Sequence, residues 1–271
     1  DGAKLSERTR LVLRECISLG FRVIIATGRS MGAAELYREA MGAEGPMVYY
    51  NGAVVLGMPE RRVLARHSIG QDVISRCVDI ARSEDTHFHI FLCNKSGAFS
   101  ETLMAESVSE ATEVYRNRTG LDFLYGDLKK ALSGGDFAYC IKGIFIDDEQ
   151  KLRRIQRIIQ KSPEIAVNTM LSSTFILEIL HSGVTKAAGL RTALEFYGLE
   201  AEETIAFGDE ENDISMLSFA AYSAAPSNAR LSARNAAKLV IGTNTDDSVA
   251  DFLEKALLRR ALHGAEQFPR P

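Results

Sequence analysis

Apolar positions along the chain recur in two rhythms, and the changes between them outline the elements. Leu11, Leu13, Cys16 and Ile17 recur at helical spacing and Gly20 follows as a stop signal, so the first twenty residues hold a helix. Residues 21–26 (FRVIIA) are rich in β-branched side chains and read as a strand. That run ends in Thr27-Gly28-Arg29-Ser30, after which residues 31–41 look helical and Gly42 closes them. Residues 46–55 (PMVYYNGAVV) form another short strand, broken by the turn pair Asn51-Gly52. From about Met58 to about Leu180 the texture changes to alternating segments such as RRVLARHSI, HFHIFLC, DFAYCIKGIFI and TFILEIL. Helical patterns near 71–81, 107–115 and 149–160 lie between them, which predicts an α+β insert whose antiparallel sheet is covered by helices. The chain returns to the larger domain over 176–188 and enters a helix through Gly189 to Tyr197. Residues 204–207 then form an apolar run without polar alternation, the pattern of a buried parallel strand. Residues 239–242 predict a last strand and 248–262 a closing amphipathic helix, while the tail 263–271 gives no reading. No internal repeat or low-complexity segment is evident.

Composition narrows the class. The 271 residues suffice for one large domain or two modest ones, and 46% apolar with 25% charged residues is the mix of a globular protein with a proper core. A net charge of −4 argues against a nucleic-acid or anionic-membrane binder. No apolar run is long enough to span a bilayer and no signal segment opens the chain, so a cytoplasmic protein is expected. Cys16, Cys77, Cys93 and Cys140 are scattered without a CxxC pair, which speaks against a disulfide framework or zinc site. Cys16 falls in the helical apolar pattern and reads as core.

Chemistry concentrates after the 204–207 strand. Gly208 lets the backbone bend away from the sheet, and Asp209 stands at a strand's carboxyl end, where open α/β sheets place their ligand crevice. Asp213 follows one turn later beside Asn212 and opens a helix. Two carboxylates and a carboxamide suit Mg²⁺; the alternative is an Asp-rich loop that caps a helix. Thr27 and the Gly28 amide, between a strand and a helix, form an anion site, or an ordinary turn with Ser30 as N-cap. Lys186 falls at a helix start, against the dipole, where a cation points to solvent or is held for an anion. Within the insert, His87 and His89 share a strand face, and a solvent- or cleft-facing strand is favoured over a metal. The basic run 151–161 reads as the wet side of an amphipathic helix, and Asp147 or Asp148 as its cap.

Four pieces in order carry a resemblance: Ile24-Ile25-Ala26-Thr27-Gly28-Arg29, Asn51-Gly52-Ala53, Gly183-Val184-Thr185-Lys186 and Gly208-Asp209-Glu210-Glu211-Asn212-Asp213-Ile214-Ser215-Met216-Leu217. Together they resemble the haloacid dehalogenase-like hydrolases, in particular the Cof-type phosphatases. The resemblance implies an α/β fold: a Rossmann-like parallel sheet core at 1–57 and 181–271, with an inserted α+β cap domain at 58–180. It implies that Thr27 and the Gly28 amide hold phosphoryl oxygens and that Lys186 neutralises charge on the nucleophile and the transferring group. Asp209 becomes a direct or near-direct Mg²⁺ ligand supported by Asp213. Asn212 touches the phosphate or orients Lys186, and Arg29 matches the motif. Glu210 departs slightly from the small residue usual there.

One departure is larger. The family opens with a strand ending in Asp-x-Asp-Gly-Thr, whose first Asp is the nucleophile and second the acid/base, and no such stretch occurs here. Asp1-Gly2-Ala3-Lys4-Leu5-Ser6 is similar to the loop after that motif, so the nucleophile is expected in a segment before Asp1. The implied reaction is Mg²⁺-dependent hydrolysis of small phosphorylated metabolites, sugar phosphates foremost, through an aspartyl-phosphate, by a monomer or small homo-oligomer. A phosphomutase of the same fold and an inactive phosphate-ligand binding protein are the alternatives.

Overall fold

The computed structural model describes residues 5–133 and 137–263, with the side chains of Arg118 and 257–263 left aside. The stretch Asp1-Gly2-Ala3-Lys4 and the tail beyond 263 lie outside the described residues. The chain divides into two compact units, one of Asp1–Gly28, Ala34–Gly52 and Thr185–Pro271, the other of Arg29–Ala33 and Ala53–Val184.

The discontinuous unit opens with helix α1 (Glu7–Ser18), whose N-cap Ser6 accepts from Thr9 N–H. Helix α2 (Met31–Met41) contributes its residues from Ala34 onward, and strand β1 (Gly45–Tyr49) follows. Residues 21–26 are extended, as their β-branched content predicts, yet their ladder is short: Ala26 bridges Val48 of β1 in parallel. The expected strand is thus an extended run with a single bridge. Its other edge borders a cavity of about 830 Å³, lined across the way by residues 204–207.

The inserted unit begins with the hairpin of β2 (Val54–Met58) and β3 (Arg62–Arg66), bulged after Val55. Helix α3 (Gln71–Ser83) leads to β4 (His87–Asn94), β5 (Glu101–Ala105), α4 (Glu110–Thr119), β6 (Phe123–Tyr125) and β7 (Phe137–Ile146). Helix α5 (Glu149–Gln160) and strands β8 (Val167–Ser173) and β9 (Ile176–His181) complete it. The six strands order as β6-β5-β4-β7-β9-β8, antiparallel except for the parallel β5–β6 pair. One face carries Phe88, Ile90, Leu92, Phe145, Leu177 and Ile179, packed against α3 and α5 through Ile74, Val78, Leu152 and Ile155. Asp148 caps α5 by accepting from Lys151 N–H, and Asp147 pairs with Lys151 Nζ at 2.8 Å, so these acids serve the helix. Early in this unit the Glu101 carboxylate accepts from the N–H groups of Met31 (3.2 Å) and Gly32 (2.8 Å), occupying the first turn of α2.

The opposite face holds His89, Phe91, Lys142, Ile144, Glu178 and Leu180, neighbours by register across β4, β7 and β9. His87 and His89 do share a face, with His87 Nε2 and His89 Nδ1 3.0 Å apart. His89, however, is fully buried rather than solvent-facing, enclosed by the rings of Tyr115 and Phe123 at 4.6 and 5.2 Å. Burial lowers the His87 pKa to about 4, and burial, then the neighbouring His87 and Lys142, hold the His89 pKa well below its ordinary value.

The chain re-enters the first unit with α6 (Lys186–Tyr197), then β10 (Ile205–Phe207), α7 (Ile214–Phe219), β11 (Tyr222–Pro226), α8 (Leu231–Ala236), β12 (Leu239–Ile241) and α9 (Ser248–His263). Strands β10, β11 and β12 pair in parallel, as the unbroken apolar run at 204–207 predicts for β10; β11 carries no such run. Leu190, Leu194, Ala206, Met216 and Leu217 form their core, and Val12, Cys16 and Ala250 join α1 to α9.

Leu152 is fully buried between α5 and the insert's sheet. Leu152→Ala is expected to destabilise the insert by about 2–5 kcal/mol, through lost transfer energy and the cavity left behind. Urea unfolding followed by circular dichroism measures it; a midpoint unchanged from the parent contradicts this packing.

Candidate active site

Asp213 is the hub of the loop after β10. Its Oδ2 accepts from the backbone N–H groups of Asp209 (2.9 Å) and Glu210 (3.0 Å), which folds residues 209–213 back on themselves. That fold demands glycine at 208, where a Cβ would lie 2.5 Å from Asp213 Cβ and 2.7 Å from its Cγ. Asp213 Oδ1 takes the ammonium of Lys186 at 2.5 Å, and both side chains are almost wholly buried. Lys186 is the first residue of α6, whose N-cap Thr185 accepts from Ala188 N–H. A cation there opposes the helix dipole, and the Asp213 carboxylate supplies the compensating charge.

Thr27 reaches the same place from the other side of the unit. Its N–H donates to Val48 O and its own carbonyl accepts from Asn51 N–H, both at 2.9 Å. Asn51 sits in the left-handed region at φ +57°, and its Oδ1 accepts from Asn212 Nδ2 at 2.9 Å. Gly52 follows at φ +101°, and a Cβ on it would lie 2.2 Å from Thr185 O. Only glycine lets this turn come so close to the start of α6. Gly28 packs on the Asn51 side chain, 2.9 Å from Oδ1 for a Cβ placed there. A continuous hydrogen-bonded path therefore runs from Thr27 through Asn51 and Asn212 to the 209–213 loop and Lys186. The sequence marks Asn51 as a turn former and as part of the Asn51-Gly52-Ala53 piece of the resemblance; its bond to Asn212 also makes it an anchor of this path. Arg29 belongs to the inserted unit.

Electrostatically the loop is loaded with negative charge. The Asp209 carboxyl is pushed up from its ordinary range, first by burial, then by the charges of Asp213 and Glu210, with Lys186 opposing. Glu210 is exposed and pairs with Arg230 Nε at 3.2 Å, while Arg230 N–H donates to Asp209 O at 2.9 Å. Among the described residues no three His, Cys, Asp or Glu side chains converge as a closed metal cage. Mg²⁺ needs none, since it keeps several waters and is held by one or two carboxylates plus substrate phosphate. A solvent-reachable carboxylate crowded by like charges, with its pKa raised, is a donor that a hard cation would relieve, so the residues present fit that ion.

The sequence profile of the haloacid dehalogenase-like hydrolases matches residues 1–253. The chain is 28% identical over 265 residues to the 5-amino-6-(5-phospho-D-ribitylamino)uracil phosphatase YitU of Bacillus subtilis, covering 94% of this chain and 92% of that one. Its fold matches TM0651 from Thermotoga maritima with a TM-score of 0.80 at 25% identity, over 94% of this chain and 92% of the other. A haloacid dehalogenase-like hydrolase from Bacteroides thetaiotaomicron superposes with a TM-score of 0.79 at 22% identity, over 93% and 92% of the two chains. The chain belongs to the haloacid dehalogenase-like hydrolases, with a Rossmann-like core and an inserted α+β cap. It is a Cof-type member, and its enzyme class is phosphoric monoester hydrolase.

The raised Asp209 pKa has a sign that can be measured. An acid whose pKa rises on folding favours the folded state below its ordinary value of 3.8, and that contribution is lost as pH rises through the raised value. Asp209→Asn removes the charge, so at pH 7 in a chelator it is expected to melt above the parent. The advantage should vanish as pH falls below the ordinary carboxylate range. A melting temperature lower than the parent's at pH 7 contradicts the electrostatics described.

Proposed function

We propose that this chain is a Mg²⁺-dependent phosphatase of small phosphorylated metabolites, sugar and alditol phosphates foremost, working through an aspartyl-phosphate. The observation that carries the reading is the single hydrogen-bonded path joining Thr27, Asn51, Asn212, Asp213 and Lys186 beside the charge-crowded Asp209. The similarity to YitU, a 5-amino-6-(5-phospho-D-ribitylamino)uracil phosphatase, supports a phosphorylated polyol as substrate.

In this reading Thr27 and the Gly28 amide donate to the phosphoryl oxygens, where charge accumulates as the bond order changes. Lys186 stands behind them as a buried cation, held at a fixed position by Asp213 so that no reorganisation accompanies the reaction. Asn212, anchored by Asn51, presents its carboxamide at the same place. Asp209 is the carboxylate that would hold Mg²⁺, with Asp213 supporting it through the amides of Asp209 and Glu210. When bound, the ion would screen the approach of an anion to the phosphate dianion.

The nucleophile is proposed to be a carboxylate on an extended segment outside the described residues. The cavity between residues 21–26 and β10 supports that placement. Two extended runs, each paired in parallel on its far side, border it, and apolar Leu190, Leu194 and Met216 line it, as a buried parallel strand requires. The carboxylate of that segment attacks phosphorus opposite the leaving oxygen, the P–O bond breaks, and the leaving alkoxide takes a proton from a neighbouring carboxyl. Water then cleaves the acyl phosphate and releases inorganic phosphate.

Lys186→Ala and Asp209→Asn are each expected to lower p-nitrophenyl phosphate turnover by a factor on the order of 10²–10³ or more in the full chain while leaving it folded. Near-parental turnover in either variant overturns these roles. Phosphate returned to a second position of the sugar, without release, indicates a mutase instead.

A further inference from the structure

Arg230 meets the 209–213 loop from outside it. As the N-cap of α8 it donates its N–H to Asp209 O at 2.9 Å and its Nε–H to Glu210 Oε2 at 3.2 Å. The ion pair is not what shapes the loop, because Asp213 already gathers the amides of Asp209 and Glu210 on one oxygen. Nor does it hold the fold: both side chains are exposed, and ion pairs in that setting contribute little to stability. Its reach is electrostatic. The shared Asp213 oxygen fixes residues 209 and 210 side by side, and the charge of Glu210 acts on the Asp209 carboxylate. A small residue is usual at position 210, so this carboxylate is an addition to the family pattern. The Lys186 ammonium is committed to Asp213 at 2.5 Å, and among the described residues Arg230 is the cation paired with Glu210.

We propose that Glu210 and Arg230 set the affinity of the Asp209 site for Mg²⁺ in opposite senses, Glu210 as the added negative charge that draws the ion and Arg230 as the positioning residue that pairs with Glu210 and holds its field in check. The inference rests on the Mg²⁺ reading and adds to it a control on how tightly the ion is held. A divalent ion feels each unit charge twice as strongly as a monovalent one. Through water and at low salt, a charge on the neighbouring residue therefore changes its binding by roughly 3–10-fold, and salt screens that effect. Because the pair is exposed and outside the loop's own hydrogen bonds, it can be removed without disturbing the carboxylate it acts on.

The test is calorimetric titration of Mg²⁺ into the full chain without substrate, at an ionic strength of about 20 mM and again in about 0.5 M NaCl. At low salt Glu210→Gln should raise Kd by roughly 3–10-fold, and Arg230→Gln should lower it by roughly 2–5-fold. Arg230→Lys keeps the charge and should stay within about 2-fold of the parent. In a Glu210→Gln background, Arg230→Gln should change Kd by less than about 2-fold, since Arg230 acts through Glu210. In the high-salt buffer every difference should fall below about 2-fold, a loss that a purely structural effect would not show. Shifts of the same sign in the two single variants overturn the proposal, as do shifts under about 2-fold at low salt or shifts that persist at high salt. Glu210→Ser, which installs a small residue, is the second variant and must weaken binding as Glu210→Gln does. Parental binding that Asp209→Asn abolishes, with Kd indifferent to residues 210 and 230, overturns this inference alone. A parent that binds no Mg²⁺, or binds it equally well with Asp209→Asn, overturns the Mg²⁺ reading and this inference with it.

Discussion

One carboxylate fixes the geometry of the core unit's loop cluster. Asp213 meets three donors with two oxygens: the Lys186 ammonium on one, the amides of Asp209 and Glu210 on the other. Breaking a buried pair of this kind typically costs about 3–5 kcal/mol, because the partner is left charged and unhydrated. That magnitude exceeds what a surface loop gains from its own contacts, so loop conformation and lysine position are one decision. The glycine at 208 belongs to the same decision, since any Cβ there would displace Asp213. Asp209 is thereby left with its charge only partly compensated, and its raised pKa is the electrostatic trace of that arrangement.

Much of this was legible in the residues, and the unread parts have definite physical causes. The apolar run before Gly208 predicts a parallel strand, and β10 pairs in parallel with β11. The stripe of Leu152, Ile155, Ile158 and Ile159 predicts an amphipathic helix whose basic residues are its wet side, and α5 buries Leu152, Ile155 and Ile159 while Ile158 stays partly exposed. Residues 21–26 carry the composition of a strand but form one bridge, because a ladder depends on neighbours that composition does not describe. His89 illustrates the same limit: period two puts it beside His87, yet its burial depends on α4 and β6, distant in sequence. At the loop cluster, residue types picked out Thr27, Lys186, Asp209, Asn212 and Asp213. Asn51 escaped as an anchor because its contribution lies in a contact with a residue 161 positions away.

The insert shows a division of labour between the two faces of one sheet. Its α3- and α5-covered face is uniformly apolar, and a register slip by one residue would turn that set outward, so the pairing is strongly specified. The other face is free of that demand and mixes aromatic, cationic and anionic side chains among its aliphatic ones. Composition can drift on such a face without endangering the fold, which is where a family sharing one architecture can acquire different preferences.

The interrupted order of the core has a consequence for biosynthesis. Its ends are tied by Ser6 Oγ to Asp247 Oδ1, 241 positions apart, and no part of that closure exists until the chain is nearly finished. The insert, by contrast, is complete at Val184 and draws almost all of its strand pairing from within 53–184. Local contacts form early and long-range ones late, so on the ribosome the insert is the piece that matures first. The core unit, drawn from Asp1–Gly28, Ala34–Gly52 and Thr185–Pro271, cannot close before its last segment is made, and the 209–213 loop lies in that segment.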